Sequence, residues 1–150
     1  IRNIMNKFAV YHQCFNNPKA TEFAISKFRE FNPDVSYYLI SDGGDDFKEI
    51  AEKYNCIYVY DKRNIGLNYL PYESVKILIE RITNFFNTVN TEYGLYMEDD
   101  VLCTNKIEIS TQIPMGSPTH IVRSGINRVA PPSPNSAEES PEIVPMLISL

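Results

Sequence analysis

Residues 93–101 read YGLYMEDDV, so a run of aromatic and aliphatic residues leads directly into Glu98, Asp99 and Asp100. The apolar run is typical of a buried β-strand, and hydrophobic residues resume immediately after the three acids. Placing three like charges beside a hydrophobic core costs free energy unless a cation compensates them. Carboxylate oxygens are ligands that suit Mg²⁺ or Mn²⁺. We therefore predict a divalent cation site where this strand ends.

The alternation of side chains along a strand limits how these three acids can share a site. In an extended segment Glu98 and Asp100 face one way and Asp99 faces the other, so at most two of them meet one ligand unless the chain turns. The alternative interpretation is a solvated acidic loop between two strands, because acidic residues are common on protein surfaces. The position directly after a buried strand favours the cation site.

Upstream of residue 93, segments with strand character alternate with segments of helical periodicity. The predicted strands are 7–15 (KFAVYHQCF), 36–41 (SYYLIS), 56–60 (CIYVY) and 93–97 (YGLYM). The order β-α-β-α-β-α-β with short loops predicts right-handed βαβ units, which build a mostly parallel sheet in a Rossmann-like, three-layer α/β/α fold. In such sheets ligands bind outside the carboxyl ends of the strands.

Three helices are predicted between these strands. Asn17 and Pro18 supply an N-cap and a first helical residue for the first helix. Either Asp45 or Asp46 is expected to cap the second helix. The third and longest helix is predicted to bury one face, formed by Val75, Leu78, Ile79, Ile82, Phe85, Phe86 and Val89.

Size and composition indicate one domain with a small-molecule ligand. A chain of 150 residues with 43% apolar content can form one hydrophobic core. The net charge of −5 and the absence of a basic stripe argue against a nucleic-acid partner. No apolar stretch approaches the roughly 20 residues that a membrane-spanning helix needs. Cys14, Cys56 and Cys103 show no metal-ligand spacing, so we expect buried thiols and a cytoplasmic protein.

The composition changes after residue 112. Seven of the ten prolines lie beyond this point, and neither helical nor strand periodicity is sustained there. We therefore divide the chain into a ligand-binding domain, residues 1–112, and a Pro-rich, irregular or poorly ordered segment, residues 113–150.

Three polar clusters, residues 12–17, 41–46 and 98–100, lie at the predicted carboxyl ends of strands. With the strand residues before them they read VYHQCFNNP (10–18), LISDGGDD (39–46) and YMEDDV (96–101). In order and spacing they resemble the amino-terminal, donor-binding half of GT-A glycosyltransferases. In that family a first strand ends in a polar turn, a second ends in an Asp-Gly turn that receives the nucleoside, and a later strand ends in a DxD-type metal motif. The resemblance implies a GT-A fold, a UDP- or GDP-sugar donor and a bound Mn²⁺ or Mg²⁺.

The acidic motif is similar to the EDD variant of certain N-acetylglucosaminyltransferases. That similarity implies that Asp100 is the metal ligand, that Glu98 lies beside the ribose and that Asp99 belongs to the same donor site. The turn after the second strand implies that Asp42, with Gly43 behind it, contacts the base or the ribose.

Two further residues are candidates for the nucleotide site. Asn64 opens an Asn-Ile-Gly tripeptide that resembles the N-x-G loop following the third strand in many of these enzymes. His12 could donate or accept a hydrogen bond to the nucleotide at the end of the first strand, and a purely structural histidine is the alternative interpretation.

The activity implied is transfer of a sugar from a nucleoside diphosphate to an acceptor hydroxyl on a glycan, a lipid or a protein. A divalent cation would stabilise the negative charge that develops on the leaving diphosphate. The segment after Asp100 does not resemble the acceptor-binding half of that family, so no general base is assigned.

Two alternatives remain open. The first is a nucleotidyl or phosphoryl transferase on a similar sheet, although the chain lacks a G-x-x-x-x-G-K-[ST] loop. The second is a non-catalytic or degenerate domain that binds a nucleotide or Mg²⁺.

Overall fold

The computed structural model describes residues 7–109 and, in addition, the strand segments 126–128 and 147–148. Strands and helices alternate through the first part of the chain in the predicted order. The elements are β1 (Phe8–Cys14), α1 (Pro18–Phe31), β2 (Tyr37–Asp42), α2 (Lys48–Lys53), β3 (Ile57–Asp61), α3 (Pro71–Val89), β4 (Tyr93–Glu98), β5 (Val101–Cys103), β6 (Ile126–Arg128) and β7 (Leu147–Ile148).

The main sheet has the strand order β3-β2-β1-β4-β7. The four strands β1 to β4 pair in parallel, and β7 pairs antiparallel with β4 at the edge. The predicted α/β class with a mostly parallel sheet is therefore confirmed. From β1 the chain first builds outward through β2 and β3, and it then returns to add β4 on the other side of β1. Such a reversal creates a ligand-binding crevice between β1 and β4 at their carboxyl ends.

Two apolar layers cover the sheet because successive side chains on each strand point to opposite faces. On one face, residues such as Val10 and Leu39 pack with Phe28 of α1 and with Phe47, the residue before α2. On the other face, strand residues pack against α3. The cluster consists of Ala9 and Tyr11 of β1, Tyr38 and Ile40 of β2, and Phe85 and Phe86 of α3. This is the predicted three-layer arrangement, with α1 and α2 on one side and α3 on the other.

The start of α1 follows the predicted capping chemistry. Asn17 is the N-cap, its Oδ1 accepts a hydrogen bond from the backbone N–H of Ala20 at 3.2 Å, and Pro18 occupies the first turn. At α2 the N-cap residue is Phe47 rather than an aspartate. Asp46 nevertheless accepts a hydrogen bond from the backbone N–H of Lys48 at 3.0 Å, so it satisfies one of the free donors of this helix.

The predicted buried face of α3 is wrong at its amino-terminal end. Val75 is 55% exposed and Ile79 is 60% exposed, whereas Ile77 is buried and Arg81 is only 2% exposed. The helix begins at Pro71, and its buried face includes the charged residue Arg81. A pattern of apolar residues cannot reveal a buried charged residue. Arg81 points inward because carboxylates lie beneath it. In the first half of the helix the predicted residues are therefore not the buried ones, whereas Phe85 and Phe86 are buried as predicted.

Two short strands fall inside the segment that was predicted to be irregular. β6 pairs antiparallel with β5, and β7 pairs with β4. The predicted boundary at residue 112 and the remainder of 113–150 lie outside the residues that the structure describes.

The three cysteines are free thiols. Cys14 and Cys103 are buried as predicted, whereas Cys56 is half-buried. No helix in the described part of the chain is long and apolar enough to cross a membrane.

Candidate functional site

A cleft of about 270 Å³ opens at the carboxyl ends of β1, β2 and β4. This is the point at which the strand order reverses, so the cleft lies where open α/β sheets bind their ligands. Four of the seven predicted site residues meet there, and His12, Gly43 and Asn64 do not line it. The lining residues are Gln13, Cys14, Phe15, Asp42, Glu98, Asp99 and Asp100.

A second hollow of about 360 Å³ lies at the opposite, amino-terminal ends of the strands. Its only charged donor, Arg29, is already occupied, because its guanidinium donates to the backbone carbonyls of Pro33, Val35, Tyr54 and Asn55. These bonds fix the loops around the end of α1. The chemistry of this hollow is therefore structural, and the carboxyl-end cleft is the candidate site.

Asp99 is turned toward α1 and is held there by two side chains. Its Oδ1 accepts hydrogen bonds from Thr21 Oγ1 at 2.6 Å and from His12 Nε2 at 3.0 Å. The other ring nitrogen of His12 bonds the Tyr37 hydroxyl at 2.7 Å. His12 is fully buried with both nitrogens occupied, so the structure favours the structural interpretation of this histidine over a direct contact with a nucleotide.

Asp42 is buried at the end of β2, and three elements fix its carboxylate. Arg81 Nη1 donates to Oδ1 at 2.7 Å, and the backbone N–H of Ile65 donates to the same oxygen at 3.1 Å. Gln13 Nε2 donates to Oδ2 at 3.3 Å from the neighbouring strand. A carboxylate held in this way reaches the cleft in one defined orientation.

Arg81 extends this network to the third strand. Its Nε donates to Asp61 Oδ2 at 3.0 Å, and its Nη2 donates to the backbone carbonyl of Arg63 at 2.7 Å. Arg63 also forms an ion pair with Asp61 and a second one with the exposed Glu80. Burial opposes the ionisation of Asp61, but hydrogen bonds from Arg63 and Arg81 outweigh it and lower the pKa of this carboxyl to about 2. Sequence reasoning missed Arg81, because the predicted apolar face of α3 does not include it and the sequence does not indicate its distant carboxylate partners.

Gly43 and Asn64 fix the loop after β3 against the end of β2. Gly43 has a φ of 71°, and a Cβ at this position would lie 2.8 Å from the backbone N of Asn64 and from the carbonyl oxygen of Lys62. The Asn64 side chain donates to the carbonyl of Asp42 at 2.9 Å and accepts from the N–H of Leu67 at 2.7 Å. Gly43 and Asn64, both predicted to bind the ligand, therefore stabilise the backbone conformation around Asp42.

The cleft is strongly acidic. Asp42, Glu98, Asp99 and Asp100 give it four carboxylates, and no lysine or arginine is among its lining residues. Within the described ranges, no group of three His, Cys, Asp or Glu side chains is arranged to hold a metal ion. Mg²⁺ is commonly held by only one or two carboxylates together with substrate phosphates and water, and that mode is compatible with Glu98 and Asp100. The assignment of Asp100 as a metal ligand stays a prediction.

Cys14 also lines the cleft, but it does not suit a nucleophilic role. Burial raises the pKa of its thiol far above the ordinary value. The nucleophilic form of cysteine is the thiolate, which a raised pKa removes at neutral pH. The carboxylates of the cleft are therefore better candidates for a functional role than Cys14.

No protein-family model matches the sequence, and no curated protein matches it significantly. Among solved structures, the chain is similar to a cytidylyltransferase from Leptospira borgpetersenii serovar Hardjo-bovis (strain JB197). The superposition has a TM-score of 0.44 at 12% sequence identity, and it covers 63% of this chain and 42% of that chain. The chain thus spans less than half the length of that protein. An overlap of this extent assigns neither a family nor an activity, and membership of the GT-A family stays a prediction.

Proposed function

We propose that the cleft binds a nucleotide sugar together with Mn²⁺ or Mg²⁺, and that the chain transfers the sugar to an acceptor hydroxyl. The observation that carries this proposal is the convergence of Asp42, Glu98 and Asp100 on one cleft at the reversal of strand order. Ligands of open α/β sheets bind at this location.

The charge of the cleft determines which ligands suit it. Asp42 is paired with Arg81, but Glu98, Asp99 and Asp100 line the cleft with no lysine or arginine among the lining residues. These three acids would repel a diphosphate that arrives alone. A divalent cation would offset this repulsion, since Mg²⁺ sites in proteins commonly combine one or two carboxylates with substrate phosphates. Glu98 and Asp100 are the residues that we expect to hold it. When bound, the cation would stabilise the charge that develops on the departing diphosphate.

The remaining residues orient the donor. Asp42 would accept hydrogen bonds from the ribose hydroxyls or the base, and its orientation is maintained by Arg81 and Gln13. A carboxylate fixed before the ligand arrives loses little conformational freedom on binding, which favours affinity. The acceptor would be a hydroxyl of a glycan, a lipid or a protein, and we assign no general base within the described residues.

Calorimetric titration tests the donor site. UDP, GDP and their common sugar conjugates are titrated into the full chain with Mn²⁺ and again with a chelator. We expect Mn²⁺-dependent binding of one nucleoside diphosphate, and we expect the nearly isosteric Asp100→Asn variant to lose it. Glu108→Gln is the matched control, because it removes one negative charge from an exposed residue outside the cleft. Equal binding by Asp100→Asn and wild type would overturn the assignment of the site.

The products then distinguish sugar transfer from the alternatives. Transfer or hydrolysis of a nucleotide sugar releases a nucleoside diphosphate, whereas nucleotidyl transfer from a nucleoside triphosphate releases pyrophosphate. Release of pyrophosphate would therefore replace our proposal with the nucleotidyltransferase alternative. Metal-dependent binding without turnover across the acceptor classes would favour the non-catalytic domain.

A further inference from the structure

Asp99 is the middle acid of the 98–100 turn, and its two hydrogen-bond donors come from distant parts of the chain. Thr21 lies in the first turn of α1, 78 residues away, and His12 lies on β1, 87 residues away. Both donors are completely buried. Asp99 itself is partly exposed, with 23% of its side-chain surface accessible, and it lines the cleft.

The protons of this cluster can be assigned from the chemistry of the partners. A carboxylate only accepts hydrogen bonds, so His12 Nε2 carries the proton in its 3.0 Å contact with Asp99. His12 Nδ1 then accepts from the Tyr37 hydroxyl at 2.7 Å. Burial raises the pKa of Tyr37 well above its ordinary value, so the phenol keeps the proton that it donates. One histidine tautomer satisfies both contacts.

The single hydroxyl proton of Thr21 has two acceptors within reach. Asp99 Oδ1 lies at 2.6 Å and the backbone carbonyl oxygen of Asn17 lies at 3.1 Å. The charged and nearer oxygen forms the stronger bond, so the proton belongs to Asp99. Oδ1 of Asp99 thus receives two donors, and these fix the carboxylate relative to both β1 and α1.

We propose that Thr21 and His12 are positioning residues: by holding Asp99 they fix the turn from which Glu98 and Asp100 face the metal and the nucleotide. The inference rests on the proposed function. It assigns Asp99 to the support of the site rather than to ligand contact. It also gives a role to the contact between the fully buried His12 and the partly exposed Asp99 at the edge of the cleft. Outer partners of this kind commonly change metal affinity by about 10- to 100-fold when they are removed.

The test compares Thr21→Val, which removes the hydroxyl at nearly constant volume, with Thr21→Ser, which keeps it. For each folded variant the Kd of the nucleoside diphosphate is measured with Mn²⁺ and with a chelator. We expect Thr21→Val to raise the Kd in Mn²⁺ by about 10- to 100-fold. In chelator we expect no binding by the variant, as for the wild type. Thr21→Ser should retain the wild-type values. A merely structural role would lower the melting temperature without changing the Kd in Mn²⁺.

Each other outcome decides against a specific claim. A folded Thr21→Val protein with the wild-type response to Mn²⁺ would overturn the positioning role and leave the proposed function intact. Loss of the response in Thr21→Ser as well would show that the hydroxyl is not the determinant. No nucleotide binding by the wild type would overturn both proposals. If circular dichroism shows that Thr21→Val does not fold, Thr21→Ala removes the same hydroxyl without a bulky replacement and takes its place.

Discussion

Arg81→Met is expected to destabilise the protein by about 3–5 kcal/mol, the cost of removing one partner from a buried ion pair. Arg81 is 2% exposed and contacts two carboxylates, with distances of 2.7 Å to Asp42 and 3.0 Å to Asp61. Methionine fills a similar volume without donating a hydrogen bond. The substitution therefore removes the charge while it limits the cavity that is left behind.

Removing Arg81 costs the two carboxylates different amounts of stabilising interaction. At an effective dielectric constant of about 20, unit charges about 4 Å apart attract by about 4 kcal/mol. Asp61 keeps Arg63 as a cationic partner, whereas Asp42 keeps only the neutral donors Gln13 and the N–H of Ile65. Most of the loss therefore comes from Asp42. Its carboxylate would remain buried without a positive charge beside it.

Urea unfolding at pH 7, followed by circular dichroism or tyrosine fluorescence because the chain has no tryptophan, measures the change. The matched control is Arg63→Met, which removes an arginine from the same Asp61 at a site where the side chain is 34% exposed. Surface pairs contribute at most about 1 kcal/mol, so the control should be the milder change. If Arg81→Met cost no more than Arg63→Met, the argument from burial would be refuted.

Two further predictions concern stability. The pKa of Asp61 is lowered to about 2 from 3.8, so its ionised form contributes stability that is present above pH 4 and lost as the pH falls toward 2. In urea unfolding across this range, wild type should lose about 2 kcal/mol more than Asp61→Asn, and parallel curves would contradict the shift. Ile77 is buried and Ile79 is 60% exposed, so Ile77→Ala should cost about 2–4 kcal/mol and Ile79→Ala about 0.5 kcal/mol or less. Equal melting temperatures for these two variants would contradict the orientation of α3.

Local sequence patterns were sufficient for the first four strands. Buried parallel strands are short apolar runs bounded by polar turns, and each of the four runs forms a strand with ends within two residues of the prediction. The meeting of polar clusters at one edge of the sheet also followed from the sequence, because βαβ units bring the carboxyl ends of their strands together. This general rule brought Asp42 to the same cleft as residues 98–100.

The partners of the buried polar residues could not be predicted in this way. Arg81 and Asp42 are 39 residues apart, and His12 and Asp99 are 87 residues apart. Periodicity reports which face of an element is apolar, but it carries no information about which distant side chain meets a polar residue on that face. The same limitation displaced the predicted face of α3, where Arg81 occupies an inward position that the apolar pattern assigned to the surface.

Buried polar side chains are concentrated at the carboxyl ends of the strands, whereas Asn32 is the one buried polar residue described near the other end. The concentrated residues are His12, Thr21, Ser41, Asp42, Asn64 and Arg81. Apolar residues of similar volume would stabilise a core at least as well as a buried ion pair. These buried polar groups therefore contribute more to the orientation of Asp42 and Asp99 than to the stability of the fold. Departures from apolar packing of this kind are expected at functional sites, and this one surrounds the cleft at the carboxyl ends of β1, β2 and β4.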